Sequence, residues 1–288
     1  MKMWTNRHYL LIAALCLGAG SSLFAGSATN ITGLYYTGVN SSYGLLPGGT
    51  TDSNWSVSYA STGGSTNTTY EGAAYVVSSS YIDAGWVQNT SSAQWIVPPG
   101  AKTAATGGTA NVGGDYLPGN GTSGTNTAQF TYTLAFTITG TGSGTVTNNV
   151  SISLTIAADD QYKVYMNPAL NSNGSVKSTD VASATGLSAW GNTTSITLTN
   201  YGSSPNANFV IGTNYLTIVV DNTNSVTGSS SSTAWNPSGL MVYQVGSAMT
   251  IDGHPVPEAG TWLPLAGGLG IILLLRYRRR SVPEGGAN

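Results

Sequence analysis

Apolar and polar residues alternate with a period of two in several stretches of this chain. The clearest is FTYTLAFTIT, residues 130–139, in which aromatic and aliphatic side chains share one parity and threonine fills most of the other. Such alternation is typical of a β-strand with one face in a core and one in solvent. The same pattern marks further apolar sets: Trp55, Val57, Tyr59; Ile152, Leu154, Ile156; Tyr162, Val164, Met166; Leu216, Ile218, Val220.

The segments between these strands are rich in glycine, serine, threonine and asparagine, as in STGGSTNTT and GTGSGTVTNN. Glycine and asparagine permit the positive φ angles of tight turns. We expect about nine to eleven strands over residues 26–251, with no helical stripe and no internal repeat. The pattern predicts an all-β fold, a single β-sandwich or jelly roll. The less regular stretch before Gly100 leaves a second domain possible.

The N-terminus combines a basic start, an apolar stretch and a run of small residues. This is the layout of a secretory signal peptide, which is helical and is removed during export. We expect cleavage after Ala25, or after Ala28, which makes residues 1–25 the signal segment. Cys16, the only cysteine, lies inside it. The processed chain therefore has no thiol for disulfides or thiolate metal sites.

The C-terminus carries an apolar run of 17 residues, 259–275, followed by a cluster of arginines: Arg276, Arg278, Arg279, Arg280. As a helix the run measures about 26 Å, close to the ~30 Å hydrocarbon core of a membrane. Arginines after such a helix stay on the cytoplasmic side. We therefore expect a linker at 252–256, a transmembrane segment at 257–280 and a cytoplasmic tail at 281–288.

The residues VPEAGTWLPLAGGLGIILLLRYRRR combine Val256, Pro257 and Glu258 with an apolar helix and terminal arginines. This segment resembles the C-terminal sorting segment of PEP-CTERM proteins, with Ala259 where the family pattern has a second proline. The resemblance implies recognition by an exosortase-type membrane protease near the Pro-Glu motif, in bacteria that make exopolysaccharide. The alternative is a plain single-span anchor.

Residues 130–246 resemble the galactose-binding-like jelly-roll ectodomains that are often attached to PEP-CTERM tails. The shared features are paired acids at a strand end, a Val-Tyr-x-Asn step, a Gly-x-Asn-x-Leu strand and a closing Gly-Leu strand. The matching positions are Asp159, Asp160; Val164, Tyr165, Asn167; Gly212, Asn214, Leu216; Gly239, Leu240. Pro168 stands where that pattern usually has glycine.

The chain is poor in catalytic residue types. Its two histidines are His8, in the signal segment, and His254, beside the sorting motif. This excludes Ser-His-Asp, Cys-His and His-zinc chemistry from the ectodomain. Asp159 and Asp160 are the one marked pair of acids, but neighbours on an extended strand point to opposite faces. We therefore expect no enzyme, with a carboxylate-dependent glycoside hydrolase as the most remote alternative.

The same two acids could form a calcium site with Asp221, because hard cations collect carboxylate and carbonyl oxygens. The competing interpretation is a strand-ending turn in which aspartate bonds its own backbone. We favour the turn, and so expect no cofactor.

Charged residues make up 7% of the chain, against about 25% in an ordinary soluble protein. Residues 26–255 carry three lysines and nine acidic residues, which leaves a net charge of −6 and excludes nucleic acid as a partner. A neutral polysaccharide remains compatible with this surface. Most tryptophans should fill the core, but Trp190 and Trp235 lie among turn-forming residues and are candidate sugar-binding residues.

These observations predict an exported cell-surface or extracellular-matrix structural protein. Its expected partner is an exosortase-type membrane protease, and its precursor is held in the inner membrane. The alternative is a carbohydrate-binding module for neutral exopolysaccharide, in contact with extracellular polysaccharide.

Overall fold

The structure is a computed structural model. It describes most of the predicted ectodomain, in ten ranges: 26–62, 65–66, 68–82, 85–99, 127–177, 184–186, 190–201, 207–223, 238–244 and 249–256. The predicted signal helix at 1–25 and membrane helix at 257–280 lie outside these residues. Within them, no helix has the length and apolar character needed to cross a membrane.

Fifteen β-strands account for nearly all the regular structure of the described residues, beside two short 3-10 turns at Thr68–Tyr70 and Ser79–Tyr81. The strands are β1 (Ser27–Thr32), β2 (Thr51–Thr62), β3 (Ser65–Thr66), β4 (Gly72–Val76), β5 (Ile96–Val97), β6 (Thr127–Thr141), β7 (Gly144–Thr145), β8 (Val150–Asp159), β9 (Gln161–Met166), β10 (Ala184–Gly186), β11 (Thr194–Thr199), β12 (Val210–Thr223), β13 (Gly239–Tyr243), β14 (Met249–Ile251) and β15 (His254–Pro255).

These strands are hydrogen-bonded into one sheet, in the order β10-β9-β12-β6-β2-β4-β5-β13-β8-β14-β15. Four further strands pair beside this path: β1 with β6, β11 with β8, β3 with β2 and β7 with β12. All named pairs are antiparallel. The prediction of an all-β fold is confirmed. The strands outnumber the nine to eleven expected because several are only two or three residues long and carry no alternation.

The sheet folds back on itself around one main apolar core. β6 and β8 lie five strands apart in the sheet order, yet their buried residues belong to the same cluster. Phe130, Tyr132 and Phe136 come from β6, and Ile152 and Ile156 from β8. Burying each such side chain contributes roughly 1.5–3 kcal/mol. The result is a sandwich-like arrangement in which two arms of one continuous sheet enclose the core.

Strands β6 and β12 form the longest pairing, twelve residue pairs without a register shift. The apolar parity predicted for both strands is buried: Phe130, Tyr132, Leu134, Phe136, Ile138, Leu216, Ile218, Val220. The alternation in the sequence therefore correctly predicts which side chains of the two strands are buried.

The parity predicted for β2 is correct only in part. Trp55 and Val57 are buried, but Tyr59 is half-buried and Ala60 takes the inward position. The pairing of β2 with β6 shifts register between Val57 and Tyr59. A bulge adds one residue to a strand, which turns the side chains after it to the opposite faces.

A second, smaller core covers the other face of β8 and β13. There Ala157 and Met241 lie in one cluster with Trp86 and Trp95, whose ring centroids are 4.2 Å apart. Gly239 is required at this place, since a Cβ there would come within 3.0 Å of the Trp86 ring. Residues before 100 thus supply strands to the same sheet and a layer on its outside.

Asn214, fully buried in β12, holds the start of its own strand. Its Oδ1 accepts hydrogen bonds from the Val210 N–H and from Asn167 Nδ2, both at 2.9 Å. Its Nδ2 donates to the carbonyls of Val210 at 2.8 Å and Gly212 at 3.0 Å. Every hydrogen-bonding position of this amide is used, so Asn214 has a structural role.

The segment predicted as a linker, 252–256, forms the turn and second strand of a hairpin with β14. Asp252 and Gly253 have φ angles of 50° and 78°. An Asp-Gly pair with two positive φ angles is the preferred two-residue hairpin turn. The Val256 N–H then donates to the Met249 carbonyl at 2.9 Å, so ordered structure continues to Val256.

We expect the substitution Asn214→Asp to destabilise the protein by roughly 2 kcal/mol, because a buried carboxylate would face two carbonyls and lose both donated bonds. The melting temperature measures this. Asn208→Asp is the matched control, since Asn208 is exposed nearby and should shift the melting temperature little. Equal effects of the two substitutions would contradict the assigned role.

Candidate functional site

The predicted pair of acids lies at the end of β8, beside β12. Asp159 is buried, and its carbonyl accepts a hydrogen bond from Ser238 Oγ at 3.2 Å. The Asp160 N–H donates to the Asp221 carbonyl at 3.3 Å. The fold therefore brings the backbone of Asp160 beside that of Asp221, on neighbouring segments of the sheet.

The Asp221 carboxylate is already engaged by neighbouring strands. Gln129 Nε2 donates to its Oδ1 at 2.7 Å, and Lys163 Nζ lies 3.5 Å from its Oδ2. Asp221 thus connects β6, β12 and β9 and has its charge compensated. Among the residues described, no group of three or more histidine, cysteine or acidic side chains is arranged to hold a metal ion. Calcium binding by Asp159, Asp160 and Asp221 stays a sequence-based prediction.

Of the candidate sugar-binding residues, Trp190 lies on the surface with 39% of its area exposed. Its carbonyl accepts a hydrogen bond from the Val87 N–H at 2.9 Å, which ties it to the segment that carries Trp86. Trp55, Trp86 and Trp95 are buried, as expected of most tryptophans. Trp235 lies outside the described residues.

The predicted processing points lie at the two limits of the described chain. At the N-terminal limit, Ala28 is buried in β1, and its N–H donates to Asn148 Oδ1 at 2.7 Å. At the C-terminal limit, Val256 is half-buried. Outside the described residues lie the other predicted sorting and cleavage residues: Ala25, Pro257, Glu258, Arg276, Arg278, Arg279, Arg280.

An open depression lies next to Val256, between β1 and the β14–β15 hairpin. Its lining includes Thr29, Asn30, Asp252 and His254. Hydrogen bonds from Asn148 and from the Asn149 N–H lower the pKa of Asp252, and the nearby His254 adds to this effect. These hydrogen bonds account for the lowered pKa of the Asp252 carboxylate, which is part of the hairpin turn.

One buried acid escaped the sequence analysis. Asp52 is fully buried in β2, where its carboxylate accepts hydrogen bonds from the Gly38 N–H at 2.7 Å and the Asn54 N–H at 2.9 Å. Burial raises the pKa of Asp52 to about 6, although these backbone bonds and one from Trp55 act to lower it. The alternation of β2 puts Asp52 on the opposite face from Trp55, which predicts that Asp52 is exposed. The β2–β4 pairing is irregular after Asp52, and this irregularity turns the Asp52 side chain to the buried side.

No family model, curated protein or solved structure matches this chain. Its class is therefore defined by its fold: an all-β protein built on one sandwich-like antiparallel sheet.

Asp52 gives the stability of the protein a specific pH dependence. Its folded pKa, about 6, lies above the ordinary 3.8. The carboxyl group therefore contributes stability below about pH 4 that is lost as the pH rises through 6, on the order of 3 kcal/mol. We expect Asp52→Asn to flatten the melting temperature profile between pH 4 and 7 relative to the unsubstituted protein.

Asp252→Asn is the control for this profile. The pKa of Asp252 is lowered, so its contribution is present above the ordinary carboxyl pKa and is lost only in more acidic solution. The Asp252→Asn profile should run parallel to that of the unsubstituted protein above pH 5. A profile for Asp52→Asn that is also parallel would show that Asp52 does not titrate in this window.

Proposed function

We propose that this protein is an exported structural component of the bacterial cell surface or extracellular matrix, sorted by an exosortase-type protease through its C-terminal segment. One observation carries the proposal: the described residues between the two predicted processing points join one sandwich-like sheet. Residues close to both points take part in it, since β1 pairs with β6 from Ser27 onward and the Val256 N–H donates to the Met249 carbonyl.

The N-terminal boundary favours cleavage after Ala25 over cleavage after Ala28. Gly26 donates to the Thr145 carbonyl at 3.0 Å, and β1 pairs with β6 from Ser27 onward. A cut after Ala25 leaves these bonds intact, whereas a cut after Ala28 removes the first two residues of β1, including the buried Ala28. Signal removal after Ala25 therefore yields a body with its sheet complete.

The C-terminal boundary suits a membrane protease. Val256 still bonds to β14, and Pro257 follows at once. A proline disfavours the helical conformation in the residue before it, so the chain leaves the hairpin extended. The arginine cluster would hold the following apolar segment with its C-terminal end in the cytoplasm. The Pro-Glu motif would then lie outside, between body and bilayer.

The described side chains support a structural role over hydrolysis. Asp159 is buried, and Asp221 is paired with Lys163. Retaining and inverting glycosidases need two free carboxyl groups across a cleft, about 5–9.5 Å apart. Of the acids that the sequence singled out, Asp221 connects β12 to β6 and β9 through Gln129 and Lys163.

Substitution of Pro257 and Glu258 by alanine should leave membrane insertion intact but block processing in the native host. The full-length, membrane-bound form should then accumulate at least several-fold, as measured by immunoblot of membrane and surface fractions. The chain offers a matched control, because the same tripeptide recurs at 282–284. Alanines at Pro283 and Glu284, on the predicted cytoplasmic side, should leave processing unchanged.

The mass of the surface protein provides the decisive measurement. A surface form that ends near Pro257 agrees with sorting. Recovery of an intact peptide reaching Arg280 from the surface protein would replace sorting with a permanent single-span anchor.

The carbohydrate-binding alternative is favoured by the exposure of Trp190. An exposed indole offers a flat apolar face to a pyranose ring. If Trp190 binds sugar, Trp190→Ala should weaken retention on neutral exopolysaccharide by roughly tenfold without lowering the melting temperature. Leu45→Ala removes another exposed apolar side chain and serves as the control. Equal retention of both variants would remove Trp190 from consideration.

A further inference from the structure

We propose that the outer face of the sheet around Tyr215 binds a neutral polysaccharide chain. This surface, the Tyr215 face, comprises the outward side chains of β6 from Thr133 to Thr139 and of β12 from Thr213 to Tyr215. It is a different site from Trp190, and the proposal does not depend on how the protein is sorted.

The register of β6 and β12 places the residues of this face. Leu134, Phe136 and Leu216 point into the core, so the residues between them point outward. Tyr215 stands directly opposite Ala135. Two positions away are threonines: Thr133 and Thr137 on β6 and the exposed Thr213 on β12, whereas Thr217 on the other side is buried. Tyr215 thus has threonine hydroxyls beside it on β6 and on one side along β12.

Tyr215 is also the most exposed large hydrophobic side chain of the described residues, at 49%. Ala135 and Thr213 beside it are exposed as well. The residue opposite the ring is the small Ala135, although Tyr215 belongs to the longest strand pair. A ring of this size costs little conformational entropy when it is ordered by a ligand, because it has two rotatable bonds.

The backbone under the ring is held rigidly. The Tyr215 N–H donates to Asn167 Oδ1 at 2.7 Å, and the Tyr215 carbonyl accepts from the Asn167 N–H at 2.9 Å. Asn167 is fixed in turn by Nδ2, which donates to the Asn208 carbonyl at 2.6 Å and to Asn214 at 2.9 Å. A binding residue on a strand with a fixed backbone loses little freedom on binding.

The charge and the hydroxyl groups of the Tyr215 face indicate which class of partner fits it. The described outward positions of β6 and β12 carry one charged side chain, Asp221, at the far end, and Lys163 neutralises it at 3.5 Å. Threonine hydroxyls both donate and accept hydrogen bonds, as sugar hydroxyls do. An anionic polymer would find no positive charge here, so the face fits an uncharged glycan.

The connection after β9 bounds this face at one end. It crosses the sheet as far as β2, where a Cβ on Gly174, whose φ is 85°, would overlap the Ser58 carbonyl. Thr131 of β6 and Thr217 and Val219 of β12 are outward residues of their strands and are buried. The Tyr215 face is therefore the exposed part of the outer surface of these two strands.

A second copy of this chain is a weaker candidate for the face. Specific protein interfaces bury about 800 Å² on each partner around an apolar centre. Here one tyrosine and one alanine are the apolar groups of an otherwise hydroxyl-bearing surface. A sugar chain needs only an aromatic platform and hydrogen-bonding groups beside it.

Affinity electrophoresis of the full-length protein in mild detergent tests the proposal, in gels containing dextran, hydroxyethylcellulose or galactomannan. We expect retardation by at least one of these neutral polymers and none by alginate, an anionic control. Tyr215→Ala should weaken the apparent affinity at least about fivefold. Tyr201→Ala is the matched control, since Tyr201 is 44% exposed, and it should behave as the unsubstituted protein.

A second variant guards against a folding defect. Ala135→Glu leaves Tyr215 in place but sets a carboxylate and extra bulk beside the ring, and should weaken binding to the same extent. Retention of full binding by both variants, or no retardation of the unsubstituted protein by any neutral polymer, would overturn the proposal. A change in sedimentation coefficient of Tyr215→Ala would point to a second copy instead. Processing of both variants should be normal, which separates this test from that of sorting.

Discussion

The pairing of β6 with β12 is the constraint on which the rest of the structure depends. Twelve consecutive residue pairs fix the two strands face to face without a shift, and β1, β2 and β9 attach to their outer edges. A slip of one residue would turn every apolar side chain of a strand to the wrong side. The buried amide of Asn214 fastens the start of β12 to its own backbone and to Asn167.

Parts of this fold could be predicted from the sequence because they rest on local alternation. Alternating apolar residues predict which side chains of β6, β8, β9 and β12 point inward, and the structure confirms this prediction. Strands such as β5 and β7, two residues long, give no such signal. The bulge after Val57 inserts one extra residue into β2, and the alternation of Trp55, Val57 and Tyr59 in the sequence runs through it without a break.

The candidate site was less predictable, because burial and exposure depend on distant segments. From the sequence, Asp52 is expected on the surface, but in the fold the distant Gly38 N–H donates a hydrogen bond to its carboxylate. From the sequence, Asp221 is a candidate metal ligand, and the fold places the Lys163 ammonium group of β9 beside its carboxylate. Trp190 could be singled out by its turn-forming neighbours. The alternation of Leu216, Ile218 and Val220 places Tyr215 on the outward face of β12, but it does not tell which outward residues a distant segment covers, as it covers Thr217.

The hairpin that closes the described chain also determines how the sheet ends. β15 is the last strand in the sheet order of the described residues, and one of its two residues is Pro255, which has no N–H to offer an incoming strand. Exposed sheet edges are templates for adding strands from other molecules, and short edges with proline blunt this tendency. An edge of this kind keeps neighbouring copies of the chain from joining their sheets, even at high local concentration.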